Sequence, residues 1–523
     1  MRSKGVLAAA LGALLLTAAP AAATEQPAGA RKNLKLVSSY PEAKYATAIN
    51  FLQYGRAGHH RGFTGRGHGH GRTRDVMVAT GRFGLIAYDL SDPAHPRKLD
   101  TLDNEALRLT GDPPTDFNDG PDSNTSPDST YWQNEDMDVD QKRKLVFMAR
   151  DPRSFAGTTG NPNSVSGVYI VDLRDPRDIK LITFTQVPTG HTTTCINDCQ
   201  YLWTGGPASS TTQASAWPKG RPLFVTDIRD PRNPKTAPEP IDLFRDDGVT
   251  GYSHDVQVDS DGIAWVSGQG GTRGYWTRGR HYDPLKGMRR EATAVDPVPY
   301  AGGEFENVDA PTAFMHNAER PTGRTLGDGP RPGKEKAGSL LLATEEADAE
   351  PDCEKQARFT IASLDGSYGG QAWRSTEAAP FRLRTVGWWS PHGQEGTLVN
   401  EDIYCSAHYF DVAKRYVAYS WYDQGTRILD VSDPTKPIQV AYYRPDGGVS
   451  WAPYFHRGYI YVADHERGVE VLRVTRGAAR QAAKRRELVA PRPSQRHVRM
   501  VRASSANLAP DPQLGWLCPI PAN

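Results

Sequence analysis

The stretch GLIAYDLSDPAHP (84–96) runs as a short apolar strand into an aspartate and then breaks on Ser-Asp-Pro. The phrase returns as GVYIVDLRDPRDI (167–179), PLFVTDIRDPRNP (222–234) and TRILDVSDPTKP (426–437). Weaker copies are RFTIASLDGSYG (358–369), GVEVLRV (468–474) and GYWTRGRHYDP (274–284). Proline has no amide to give a sheet ladder and its ring fixes φ for a turn, so each copy reads as a strand with a hard stop. Strands this short are not stable alone, and recurrence at blade-like spacing means that neighbouring sheets bury one another's faces.

A second element precedes the first. HDVQVDSDGIAWVSG (254–268), HTTTCINDCQYLWTG (191–205) and EDMDVDQKRKLVFMA (135–149) align without gaps, and SAHYFDVAKRYVAYS (406–420) and WAPYFHRGYIYVADH (451–465) share the frame. Each reads as two strands joined by a polar turn, and the Asp-Pro phrase supplies the third. The expectation is an all-β chain: a β-propeller of about seven four-stranded blades over 46–474. Gly 50 and Pro 40 in 523 residues fit many turns and little helix. Whether the strand near YATAINFLQYG (45–55) closes the ring against the C-terminal blade is left open by the sequence; closure would remove exposed edges.

The paired phrases resemble the LVIVD repeat family, most specifically at 84–96, 167–176 and 426–437, and less so between 275 and 386, where insertions intervene. That resemblance implies a propeller in a secreted or surface protein. It implies little about activity, because function lives in the site rather than the fold.

The ends and composition set further bounds. Arg2 and Lys4, then VLAAALGALLL and AAPAAATEQ, read as a signal peptide over 1–23, too short in its apolar run to span a bilayer. A leader at 24–45 follows. A His/Gly/Arg-rich loop at 55–73, insertions at 111–130 and 323–338, and a basic tail at 475–523 complete the layout. The expected protein is a monomer, secreted, extracellular or cell-wall associated, without a transmembrane segment. A net charge of +1 argues against nucleic acid as a partner. The glycine-rich GTTGNPNSVSG (157–167) and GQGGTRG (268–274) do not lead a strand into a helix, so no nucleotide cofactor is expected.

Five cysteines are present. Cys195 ends the first strand of its hairpin and Cys199 starts the next, which predicts a disulfide in an oxidising compartment. Cys353 and Cys405 fall in neighbouring blades as a second pair, and Cys518 is left over or tethers the tail. CINDC lacks the second ligand pair that structural zinc requires.

Histidines supply the candidate site. His191 and His254 share one alignment column, His316 begins a further hairpin, His408 lies two residues inside the column, and Glu135 occupies it one blade earlier. The first strand of each propeller blade lines the axis, so one residue per blade converges there. Four imidazoles and a carboxylate suit a divalent transition metal, Cu, Fe or Zn. Glu135 is the expected outer acceptor or extra ligand. The column resembles the four axial histidines of carotenoid oxygenases and the copper-associated propeller of the selenium-binding protein/methanethiol oxidase family; the likeness lies in the column, with no shared stretch of sequence.

The bland reading is that the repeat merely duplicates a histidine that bonds a backbone carbonyl of the next blade. Asp136 and Asp255 point the other way, to cap turns or pair between blades. His59, His60, His68 and His70 read as a solvated loop, and His95, His281, His465 and His497 as surface residues. Glu345 and Glu346 are acid/base candidates at the channel mouth, and Trp388, Trp389 and Trp451 either line that mouth or pack between blades.

Two functional classes follow: a metal-dependent oxidoreductase or hydrolase acting on a small molecule, or a non-catalytic scaffold that binds a protein, glycan or cell-wall polymer at the cell surface. A third use, the basic tail on an anionic polymer or lipid headgroup, stands beside them.

Overall fold

The computed structural model describes residues 26–475 apart from 55–73, 111, 113–134, 152–164, 207–220, 244–252, 306–313, 322–339, 347–357, 373–381, 399–405 and short gaps at 260, 269–270, 284–285, 365–366, 369–370 and 414. Seven antiparallel four-stranded blades stand in a ring, the propeller that the repeats predict. Blades 1 to 7 cover 46–102, 137–186, 192–243, 253–305, 314–389, 410–445 and 450–474, the last completed from the N-terminal side. Among the described residues, helix is confined to Asn104–Leu107 and the 3-10 turn Pro41–Ala43.

The repeated phrase works as a double turn. Asp89 accepts the Ser91 amide and Asp92 accepts the Ala94 amide. The same two bonds recur at Asp172 and Asp175, Asp227 and Asp230, and Asp430 and Asp433. Each aspartate caps the amide two residues on, so the chain reverses twice before the outer strand begins. The apolar residue between them, Leu90, Leu173, Ile228 or Val431, is buried and bonds its amide to the start of the second strand.

In blade 4 the third strand Gly271–Trp276 and the outer strand Val298–Phe305 are separated by an extra hairpin, Gly279–Asp283 with Met288–Ala292, which is why the phrase is blurred there.

Ring closure comes from a segment that the sequence reading assigned to a leader. Leu34–Tyr40 lies antiparallel to Gly468–Val474 as the outer strand of blade 7, and Gly29–Lys32 pairs with Ile438–Pro445 of blade 6. Leu34 and Leu36 are buried among Ile460, Val462 and Leu472. Ala46–Tyr54, the strand considered for closure, is instead the innermost strand of blade 1.

Cys195 and Cys199 form a disulfide across the turn of their hairpin, with Cα atoms 4.4 Å apart. Cys353, Cys405 and Cys518 lie outside the described residues, as do 1–23, 55–73, nearly all of 111–130, 323–338 and the tail beyond 475. No described helix is long and apolar enough to cross a membrane.

Candidate metal centre on the propeller axis

The innermost strands carry a shared irregularity. Pairing skips one residue between Ala46 and Ala48, Ser253 and Asp255, Met315 and Asn317, and Ser450 and Ala452. The skipped residues are Thr47, His254, His316 and Trp451. In blades 3 and 6 the amides of His191 and His408 bond Gly205 and Ser420, just ahead of the first regular pairs. A bulge re-aims one side chain out of the strand's alternation. A bulge thus re-aims one residue in each of blades 1, 4, 5 and 7, and His191 and His408 hold the matching place in blades 3 and 6, so His408 stands in this column itself, not two residues inside it.

The imidazoles meet. Ring centroids of His191 and His254 are 5.2 Å apart, of His254 and His316 4.5 Å, and of His316 and His408 4.1 Å. All four are wholly buried, as is Glu135. Glu135 spans the arc, with one oxygen 3.7 Å from His191 Nε2 and the other 3.3 Å from His408 Nε2. Trp451 closes the ring: its indole Nε1 donates to Glu135 at 3.0 Å and its ring centroid is 4.2 Å from that of His408.

Glu346 adds a carboxylate from the second strand of blade 5. Its Oε2 is 3.9 Å from His316 Nε2, and its Oε1 accepts the Tyr422 hydroxyl at 2.6 Å. One ligand atom each from His316, Glu346 and His408 lie within 4.8 Å of one another, the spacing a single metal ion requires. Tyr422 holds a backbone φ of 29°, costly for a bulky residue and tolerated where the surroundings impose it. The pair Glu345 and Glu346 thus separates. Adjacent strand residues face opposite ways, and Glu345 accepts the Arg358 amide at 3.3 Å, away from the imidazoles.

Tautomers follow from the partners. His254 Nδ1 is 2.7 Å from the His316 carbonyl, and His408 Nδ1 is 2.8 Å from the Trp451 carbonyl. A carbonyl only accepts, so both Nδ1 atoms carry the proton and both Nε2 atoms carry a lone pair. His191 Nδ1 is likewise 2.6 Å from Asp151 Oδ2. Burial, joined by the neighbouring imidazoles His408, His254 and His191, holds His316 far below the usual histidine range; burial does the same to His408. Neutral imidazole is the form that binds metal.

Asp151 and Tyr422 were not legible from the sequence: neither lies on an innermost strand. His465, expected at the surface, is buried and stacks on Trp451 at 4.0 Å. Burial, with the cations Arg82 and Lys44, pushes it down to about 3. Trp389 is buried against Trp421, whereas Trp388 is half exposed under Arg358.

Asp136 serves between blades: its Oδ2 accepts the Thr193 amide of blade 3 at 2.7 Å. Asp138 takes Cys195 N and Asp411 takes Phe455 N in the same way, so these side chains satisfy amides on the open inner edge of the next blade.

In blade 7, Asp464 accepts the amides of Val449, Glu466 and Arg467. Burial, then the neighbouring Glu470, pushes its carboxyl up to about 7 from 3.8. Between those values the folded chain holds a proton that the unfolded chain releases, so this group costs stability as pH rises from about 4 to about 7. Asp464→Asn keeps the acceptor and removes the ionisation. Its urea midpoint is expected to gain on that of the wild type steadily across this interval, by at most ~1.4 kcal/mol per pH unit; parallel pH profiles contradict it.

Among solved structures, this chain is similar to a periplasmic gluconolactonase of Pseudomonas aeruginosa, at 12% identity and TM-score 0.45, over 75% of this chain and 88% of that one. The Cps50 (Swd1) β-propeller domain of Myceliophteria thermophila gives 10% and 0.44, over 84% and 100%. A Lactobacillus plantarum protein gives 8% and 0.41, over 80% and 89%. Identities of this size say nothing about the site. No family model matches the chain, and no curated protein does.

Proposed function

We propose that the chain is a secreted metal-dependent enzyme, an oxidoreductase or hydrolase, with a divalent transition metal on the propeller axis. His316, His408 and Glu346 are the core ligands. His191 and His254 complete the imidazole arc, and Glu135 is the outer acceptor or an extra ligand. The observation that carries this reading is the directed lone pair. His408 Nδ1 is committed to a carbonyl, while the Nε2 atoms of both His408 and His316 are buried without a hydrogen-bond partner. Burying a polar atom in that way costs free energy unless something takes its lone pair.

A bound metal would supply Lewis acidity, an activated water or one-electron chemistry. The chain's own residues position and neutralise. Tyr422 orients Glu346, Trp451 fixes both Glu135 and His408, and the two carboxylates offset the cation's charge in a dry site. Export is supported by the basic and apolar N-terminal run, and by the Cys195–Cys199 disulfide. LVIVD-type repeats are supported by the double aspartate turn.

The test is reconstitution of metal-stripped protein with Cu(II), Zn(II) and Fe(II), followed by dialysis and elemental analysis. About one equivalent of one of these metals is expected to stay with each chain. A wild-type protein that retains none overturns the proposal. With Cu(II) bound, hyperfine coupling to imidazole nitrogens is expected in the electron paramagnetic resonance spectrum.

A further inference from the structure

In blade 4 the third strand ends at Trp276, at the end of the blade remote from His254, and the double aspartate turn of blades 1, 2, 3 and 6 does not follow. The hairpin Gly279–Asp283 with Met288–Ala292 stands there instead. An addition to one repeat of an array often forms a binding face. One side of this hairpin is fastened to the body: His281 stacks on Trp276 with ring centroids 3.9 Å apart, and Arg290 donates to Asp283 and to the Pro297 carbonyl, both at 2.6 Å. Behind it, Trp203 Nε1 donates to the Ala294 carbonyl at 2.9 Å. The hairpin is therefore held in place rather than hung from a loop.

Strand side chains alternate, so the other side carries Arg280 and Tyr282 and, directly across from them, Glu291 and Arg289, all exposed. Tyr282, Met288 and Val295 are three of the five exposed large apolar side chains among the described residues. Exposed tyrosine and methionine beside arginine is the composition of an interface. The charge has a sign as well. Asp283 and Asp296 are spent on Arg290, which leaves Glu291 as the one carboxylate facing Arg280 and Arg289, with Lys286 close by in the connecting turn. The two strands pair only with each other, so each has an outer edge without a strand partner. Such an edge offers backbone donors and acceptors that a polypeptide can complete by adding a strand and a polysaccharide cannot. The arginines disfavour a basic strand, including a second copy of this edge, and favour an acidic one.

We infer that the blade 4 hairpin is a docking element for an acidic, extended segment of another protein, which adds to it as a third strand. The carboxylates of that segment lie on the side of Arg280, Tyr282 and Arg289, and its alternate apolar residues on the side of Met288. The docking face is at the opposite end of blade 4 from the imidazoles and does not depend on a metal being bound there.

The experiment is fluorescence anisotropy of a labelled decapeptide of alternating glutamate and valine, titrated with the full chain. Saturable binding that weakens as salt rises is expected. Arg280→Glu with Arg289→Glu, shown by circular dichroism to be folded, should weaken it at least ~10-fold, while Glu291→Gln should tighten it. A decapeptide of alternating glutamate and proline carries the same charge but lacks every second amide, and should bind at least ~10-fold more weakly. Four results each overturn the inference: no saturable binding, equal affinity for the two peptides, indifference to the double charge reversal, or heparin bound more tightly than the glutamate–valine peptide and lost in the same variant. The third would place the peptide on other basic residues, such as those of the C-terminal segment, and the fourth would assign the hairpin to an anionic polysaccharide.

Discussion

Replacing His408 by alanine is expected to lower the affinity for the retained transition metal by at least ~100-fold, beyond the 10- to 100-fold typical of losing only an outer contact. His408 combines a proton fixed on Nδ1 by the Trp451 carbonyl, an Nε2 3.3 Å from Glu135, and membership of the tight group with His316 and Glu346. Its loss removes a ligand and the order that Trp451 imposes. Trp451→Phe should do less, ~10-fold, because the ring and the backbone carbonyl remain while only the indole donor to Glu135 goes. Competition against a chromophoric chelator measures both, with circular dichroism confirming the fold. Equal affinities for wild type and His408→Ala would contradict the assignment.

The second large effect concerns closure. Leu34→Ala with Leu36→Ala is expected to cost roughly 4–10 kcal/mol of unfolding free energy, from the usual 2–5 for each buried leucine lost. Both side chains are buried between blades 6 and 7, and their strand covers the edge of Gly468–Val474. Weakening that strand also uncovers an edge that can pair with another chain, so aggregation should rise with the loss of stability. Lys35 faces outward on the same strand, and Lys35→Ala should stay within ~0.5 kcal/mol of wild type. Urea unfolding followed by tryptophan fluorescence distinguishes these variants. A double variant as stable as the wild type would mean that the ring does not depend on this strand.

Much of the fold could be read from local chemistry. The Asp-x-(Ser/Arg)-Asp-Pro phrase encodes its turn in adjacent residues, because each aspartate caps an amide only two positions on. The closing strand could not be read that way. LKLVSSY is short, and its partner, Gly468–Val474, lies at the other end of the chain.

The site divides on the same line. Glu135, His191, His254 and His316 were visible because the repeat sets them in one column on like strands. Glu346 was visible only as an acid near a channel mouth, and Asp151 and Tyr422 not at all. These three come from second strands or the turns after them, and only the arrangement of blades brings them to the axis. Histidine placement in turns also misled: His465 sits beside a turn, yet Trp451 and Tyr45 cover it.

The central claim is that the imidazole arc holds a metal ion. A crystal of reconstituted protein, measured on both sides of the absorption edge of the retained metal, tests it most directly. The account predicts one anomalous peak between His316 Nε2, His408 Nε2 and Glu346, at ligand distances of about 2.0–2.2 Å. Metal-replete crystals with no peak there, or with the peak at a surface histidine such as His95, would contradict it.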